Sequence, residues 1–332
     1  GSASAVGGLV GSAGYVVNSY ATGDVTATGA SNVGGLVGLV PNYGTTTVKI
    51  DQSYATGNVS GANYVGGLIG SITAGVTNTV TNSYATGNVS GTGMGVGGLI
   101  GDARGITVSS SYATGTVSGV NFVGGLVGFA QPVAVAGSYA TGSVTVLTGG
   151  SNGGGLVGYL YGGSIASSFA SGNVSGSDVG GLTGTSQTNA SISNSYAAGN
   201  VTLTSATGYA GGLIAYLPGT SAYSISNNYA SGTVSQTGGS GGSLGGLVGF
   251  GTGRVFSDNY WNSTKNPSRS VTTGGIGGSG SATSGVTAIS TSDMKSASSF
   301  SSGFGNSSGA FTVASGWGYA MGTNSGFPVL CG

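Results

Sequence analysis

The sequence predicts an all-β fold: a right-handed parallel β-helix, or β-solenoid, with one coil per repeat of about 30 residues. Three observations carry this. Two short phrases alternate from the N-terminus to about residue 250, as in Ser53-Tyr54-Ala55-Thr56-Gly57-Asn58-Val59-Ser60 followed by Val65-Gly66-Gly67-Leu68-Ile69-Gly70. The aromatic of the first phrase returns at Tyr20, Tyr54, Tyr84, Tyr112, Tyr139, Phe169, Tyr196 and Tyr229, at intervals of 27 to 34 residues. Finally, Gly, Ser, Thr and β-branched residues dominate and no capped stretch of helical period appears, so helices are disfavoured throughout.

The first phrase reads as a strand. Alternation puts its Ala, Gly and Val on one face, the natural interior, and its aromatic, Thr and Asn on the other. The tyrosine conflicts with this parity: it either lies outside as an aromatic ladder or turns inward through a bend at Ala-Thr-Gly, and inward burial with its hydroxyl on a partner is favoured because an aromatic is kept in every copy. The second phrase is a short apolar run bounded by glycines, which suits a strand better than a helix. Pro41, Pro132 and Pro218 follow the repeat leucines by five or six residues and predict turns there. Repeat length varies most in this segment, so insertions should gather on one side. Stacked coils would place like residues about 4.8 Å apart, with valines and leucines as interior ribs. Two short coils per repeat is the competing geometry.

Past Gly249 the pattern decays. The division expected is 1–250 for the repeats and 251–332 for a C-terminal cap that carries both tryptophans and a flexible Gly/Ser loop near 272–285. The chain enters its first repeat directly at Val6-Gly7-Gly8-Leu9, as a fragment of something longer would.

Composition bounds the chemistry. The chain has 332 residues, 74 of them Gly, a 38% hydrophobic fraction, six Asp, six Lys or Arg, no Glu, no His and a formal net charge of zero. Disorder normally needs low hydrophobicity with high net charge, and neither holds. A basic footprint for nucleic acid is missing, and no apolar run is long enough for a membrane-spanning helix. Neutral surfaces of this kind favour self-association. Cys331 is the only cysteine, which excludes an intrachain disulfide. One Cys without His argues against zinc, scattered Asp residues argue against calcium repeats, and a nucleophilic triad would lack its usual base. No catalytic residue, metal site or cofactor is expected, and the chain is read as a non-enzyme. No signal peptide is present; for an exported chain it has been removed or lies outside this sequence.

The paired phrases resemble the GLUG repeat of filamentous-haemagglutinin-like adhesins and other large bacterial surface proteins. Nine Gly-Gly-Leu cores over residues 6–250 carry the resemblance, and Asn259-Tyr260-Trp261, Asp293-Met294-Lys295 and Gly326-Phe327-Pro328-Val329-Leu330 look like the segment that closes such arrays. It implies a secreted or cell-surface stalk, passenger or filament subunit of bacterial origin. Relatives also accompany a metallopeptidase domain, but the His-Glu-x-x-His zinc motif cannot be built here.

One array suggests a binding face. Opposite the valines run three polar columns that include Thr22, Thr56, Thr86, Thr114 and Thr141, then Asn58, Asn88 and Thr116, then Thr26, Ser60, Ser90 and Ser118. On a flat sheet these would make an uncharged grid able to order ice or hydrogen-bond polysaccharide. Phe129, Tyr159, Tyr216 and Phe250, just after the second phrase, are candidate sugar-stacking platforms. The function expected is a structural or adhesive solenoid, with an ice- or polysaccharide-binding module as the alternative. Its partners would be glycans, a host or neighbouring-cell surface, ice, or other copies of itself.

Overall fold

A computed structural model describes residues 5–42, 47–73, 78–218, 223–251, 255–266, 275–277, 285–294, 317–318 and 329–330. Among these the chain winds as a parallel β-solenoid of three long sheets with 15, 16 and 10 strands, here called A, B and C. Each rung pairs with the equivalent residues of the next: Tyr54 with Tyr84, Val59 with Val89, Val65 with Val96, Ile69 with Ile100. One repeat is therefore one coil.

Each coil contains two interiors. In the main core Leu68, Ile69, Ile72 and Val80 pack with the alanines of sheet C, such as Ala85, all essentially inaccessible. Val59 and Val65 enter a separate, narrower core built almost wholly of valines. Ala and Val of the first phrase thus do not share a face as expected. The chain bends at Gly57, between the strands Tyr54–Ala55 and Val59–Gly61. A Cβ on Gly57 would lie 2.1 Å from the Gly23 carbonyl oxygen, so only glycine lets the rungs close at this bend.

The paired glycines of the second phrase occupy the corner where sheet A passes into sheet B. A Cβ on Gly67 would lie 2.1 Å from the Gly98 carbonyl oxygen and 2.8 Å from the Ala85 methyl. Alanine in the first phrase and glycine in the second are therefore two halves of one close contact. The leucine ladder continues through this corner, with the Leu68 N–H donating to the Leu99 carbonyl at 2.9 Å. Backbone groups are satisfied along the axis even where the chain turns.

The corner between sheets B and C is built from a column of left-handed residues, among them Gln52 (φ 48°), Asn82 (φ 49°) and Asn194 (φ 48°). Asn adopts this region at low cost. Each is followed by a buried Ser. The Ser53 N–H donates to the Ser83 hydroxyl at 3.2 Å, and the Ser53 hydroxyl donates to the Asp51 carbonyl at 2.8 Å. This ladder repeats through Ser111, Ser138, Ser168 and Ser195 and ends on the side-chain carbonyls of Asn228 and Asn259.

Three further expectations are corrected. The tyrosines do not enter the main core: alternation sends Ala there and the ring to the other face, where the rings stack 4.8 to 5.1 Å apart and within 7° of parallel from the exposed Tyr20 to Tyr196 and Tyr229, which are buried in a small cluster at the C-terminal end. Pro132 lies within the strand Val127–Ala136, at an exposed step that the ladder skips between Gln131 and Val133. Insertions occupy two places rather than one, since sheet A also lengthens in Val144–Gly154, where Leu147 is exposed.

The rungs also run past residue 250. Val255–Ser257 extends sheet B, while Asn259–Asn262 and Val286–Ile289 extend sheet C. Trp261 takes the alanine position opposite Ala230 and fills the end of the main core. Ile289 and Met294, of the one-turn helix Thr291–Met294, pack against the last rings of the aromatic ladder. Ile276 bridges to Val248; most of the segment 272–285 read as a flexible loop lies outside the described residues.

Candidate functional site

The polar columns face solvent. Thr22, Thr26, Thr56, Asn58, Thr86, Asn88, Ser90, Thr114, Thr116 and Thr141 are exposed, and Ser60 and Ser118 are half-buried. They do not form one flat sheet. The bend at each first-phrase glycine leaves the threonine column beside sheet C, the Asn column on the corner and the Ser column on sheet A. Two open, shallow grooves run beside the Ser column. One, of about 240 Å³, lies between Asn58 and Asn88 on one side and Ser60 and Ser90 on the other. The second, of about 230 Å³, reaches from Ser60 and Ser90 to Thr92 and Leu147.

Much of the hydrogen-bonding capacity of the corner column is used between rungs. The Asn58 N–H donates to the Asp24 carboxylate at 2.7 Å, the Asn88 N–H to the Asn58 side-chain carbonyl at 3.0 Å, and the Thr116 N–H and hydroxyl to that of Asn88 at 2.9 and 2.8 Å. Such a ladder fixes register and leaves mainly amide N–H groups and hydroxyls for a ligand.

A second array lies where sheets A and B diverge beside the Gly-Gly corner. Phe122 contacts Phe129 and Tyr159 with ring centroids 5.5 and 5.0 Å apart, and Phe129 and Tyr159 stack at 5.5 Å. The Arg104 guanidinium sits 5.4 Å from the Phe129 ring centre and pairs with Asp102 at 3.1 Å. Burial pushes the Asp102 carboxyl above its ordinary range, opposed by Arg104 and Ser71. Further along, Tyr209 and Tyr216 stack at 4.7 Å, with Phe250 tilted against both.

The carboxylates are dispersed. Asp24 heads the Asn ladder, Asp51 pairs with Lys49 at 3.1 Å, and Asp178 accepts from the Tyr209 N–H at 3.0 Å. Hydrogen bonds from Thr81, Asn82 and Lys49 hold the Asp51 carboxyl down at about 2, and burial raises that of Asp178. Among the described residues, no three His, Cys, Asp or Glu side chains cluster as metal ligands, and no helix is long and apolar enough to cross a membrane.

Taken together, the rungs, ladders and columns define a repeat-built β-solenoid. Within it, residues 149–175 and 175–202 match the GLUG motif, so the chain carries a GLUG-repeat region. No curated protein and no solved structure matches it.

Sequence reasoning placed the polar columns but missed the Ser ladder. Its signal was visible, because Ser precedes the aromatic in each of the first seven repeats, from Ser19 to Ser195.

Proposed function

We propose that this structural repeat protein is a non-catalytic, extracellular adhesive solenoid, either the stalk of a bacterial surface adhesin or a filament subunit. The observation that carries the reading is an uninterrupted stack of rungs whose outward columns are almost free of charge, joined to the GLUG matches. Such a stack holds a surface at a distance and offers every rung the same small polar groups. The bend beneath the polar columns and their use of hydrogen bonds between rungs count against a flat ice-binding lattice. Immunogold labelling of intact producing cells, with adhesion assays on cells lacking the gene, tests the proposal. Labelled surface appendages and weakened adhesion are expected. An intracellular location with unchanged adhesion would remove it.

A further inference from the structure

The tripeptide Asn-Val-Ser or Asn-Val-Thr recurs along the corner column, at 58–60, 88–90, 173–175 and 200–202. Asn-x-Ser/Thr is the acceptor pattern for sugar attached through the asparagine nitrogen. In each copy the valine enters the narrow core, while the Asn is exposed and the hydroxyl residue lies on its side of the strand. The Asn ladder decides which end of each amide faces solvent. The Asn88 side-chain carbonyl accepts from the Thr116 N–H and hydroxyl, that of Asn173 from the Asn200 N–H at 2.9 Å, and that of Asn200 from the Thr233 N–H at 3.0 Å. Only the oxygen of an amide can meet a backbone donor. The nitrogen is therefore turned away, and among the described residues nothing engages it in these three. Asn58 differs, because its nitrogen donates to the Asp24 carboxylate at 3.3 Å. Asn262, in the tripeptide 262–264, is the opposite case. It is fully buried, its nitrogen donates to the Thr291 hydroxyl at 3.0 Å, and its side-chain oxygen accepts from the Lys265 N–H at 3.0 Å.

We propose that Asn88, Asn173 and Asn200 are N-glycosylation sites, each taking a sugar from a nucleoside-diphosphate sugar through a transferase. The step forms a bond from the anomeric carbon to Nδ2 and breaks the bond from that carbon to the diphosphate. The nucleoside diphosphate leaves with the electron pair, and Nδ2 gives up one proton to a base of the transferase. Hydrogen bonds on Oδ1 assist, because they stabilise the negative charge that oxygen gathers as the nitrogen loses its proton. They also survive the reaction: substitution at Nδ2 leaves Oδ1 on the next rung, so the modified chain keeps its register. Beside Asn88 the open groove of about 240 Å³, lined also by Asn58, Ser60 and Ser90, gives a first sugar room over a row of hydroxyls. Sugars along this corner would hydrate a rod whose formal net charge is zero and whose bare surface favours self-association.

The assignment stands apart from the adhesive reading, because it concerns the covalent state of the chain and not its location. Mass spectrometry of the full chain purified from producing cells, with electron-transfer fragmentation of its peptides, tests it. Whole-sugar mass increments are expected on Asn88 and on at least one of Asn173 and Asn200, which stand on successive rungs about 4.8 Å apart and compete for space. Asn262 is expected to be bare. Ser90→Ala, at an exposed position that leaves the Asn ladder in place, should abolish the sugar on Asn88, whereas Ser90→Thr should keep it. A chain of unmodified mass, sugar confined to Ser and Thr hydroxyls or to Asn262, or sugar that persists on Asn88 in Ser90→Ala would each overturn the assignment.

Discussion

In a single coil, Leu68, Ile69, Ile72 and Val80 share the main core with Ala85, while Val59 and Val65 meet in a narrower core to which a rung adds two or three side chains. The two interiors tolerate variation differently. Along the main core, one column runs Ile72, Ala103, Ala130, Leu160, Ser186, with neighbours able to take up the change in volume. The valine column of the first phrase is Val in all eight copies from Val25 to Val234. The column facing it varies as Val123, Gly153, Val179 and Ala210, with Val146 and Leu203 entering the same narrow core, so volume there is made up from the facing side while the first-phrase valine is kept.

The largest effect is expected at the divider between the two cores. In Gly98→Ala the new Cβ would lie 2.0 Å from the Gly125 carbonyl oxygen and 2.9 Å from the Ala113 methyl. The corner must open, at a cost on the order of 4 kcal/mol or more, or folding is lost. Chemical denaturation measures this, and a loss below about 1 kcal/mol would break the account of the corner.

Within the cores, Leu99→Ala should cost about 2–5 kcal/mol and Val96→Ala about 1–3 kcal/mol. The sharper expectation is in the response to partial refilling. Val96→Ile is expected to destabilise, because the narrow core is full on both sides, whereas Ala103→Val is expected to be absorbed within about 1 kcal/mol. Equal penalties would erase the distinction between the interiors.

A smaller effect tests a polar step in the main core. Thr183 takes the column position of Val157 and Ile214, and its hydroxyl lies 3.1 Å from that of Ser186, both fully buried. Removing both hydroxyls together, in Thr183→Val with Ser186→Ala, should leave stability unchanged or raise it by up to about 1 kcal/mol, whereas Thr183→Val alone should lower it by leaving the Ser186 hydroxyl unpaired.

The smallest effect is with pH. With no His and no Glu, the unfolding midpoint should be flat from about pH 6 to about pH 8. On acidification the two perturbed directions oppose each other. Asp102 and Asp178 have folded values above 3.8, so the burden of their buried charge is relieved as pH falls through those values. Asp51, held at about 2, contributes stability that is complete above 3.8 and lost as pH falls toward 2. Urea midpoints should therefore rise slightly on acidification and then decline below 3.8. A steep loss near neutrality would contradict this.

The stacking, the rung length and the outward polar columns were legible because identical residues recurred at intervals no other fold explains. The division into two interiors was not. Ala55 and Val59 share a parity, and only the bend at Gly57, itself one glycine among 74, separates their destinations. The tyrosines misled for a related reason: constancy suggested burial, but stacking on the neighbouring ring keeps the residue type constant just as well. The aromatic cluster was half visible. Phe129, Tyr159, Tyr216 and Phe250 stood out, but their partner Phe122 lies seven residues before Phe129, on the far side of the Gly-Gly corner. No periodicity brings these two together.

The ladder bonds have a mechanical consequence. They run along the axis, from Ser53 to Ser83 and from Leu68 to Leu99, so a load along that axis falls on successive rungs in series while the bonds of one rung share it. Extension should then proceed in discrete steps, each releasing one coil of 27 to 34 residues, roughly 100 Å of chain. Under tension such a rod is a row of breakable links, dissipating work coil by coil while the remaining coils hold.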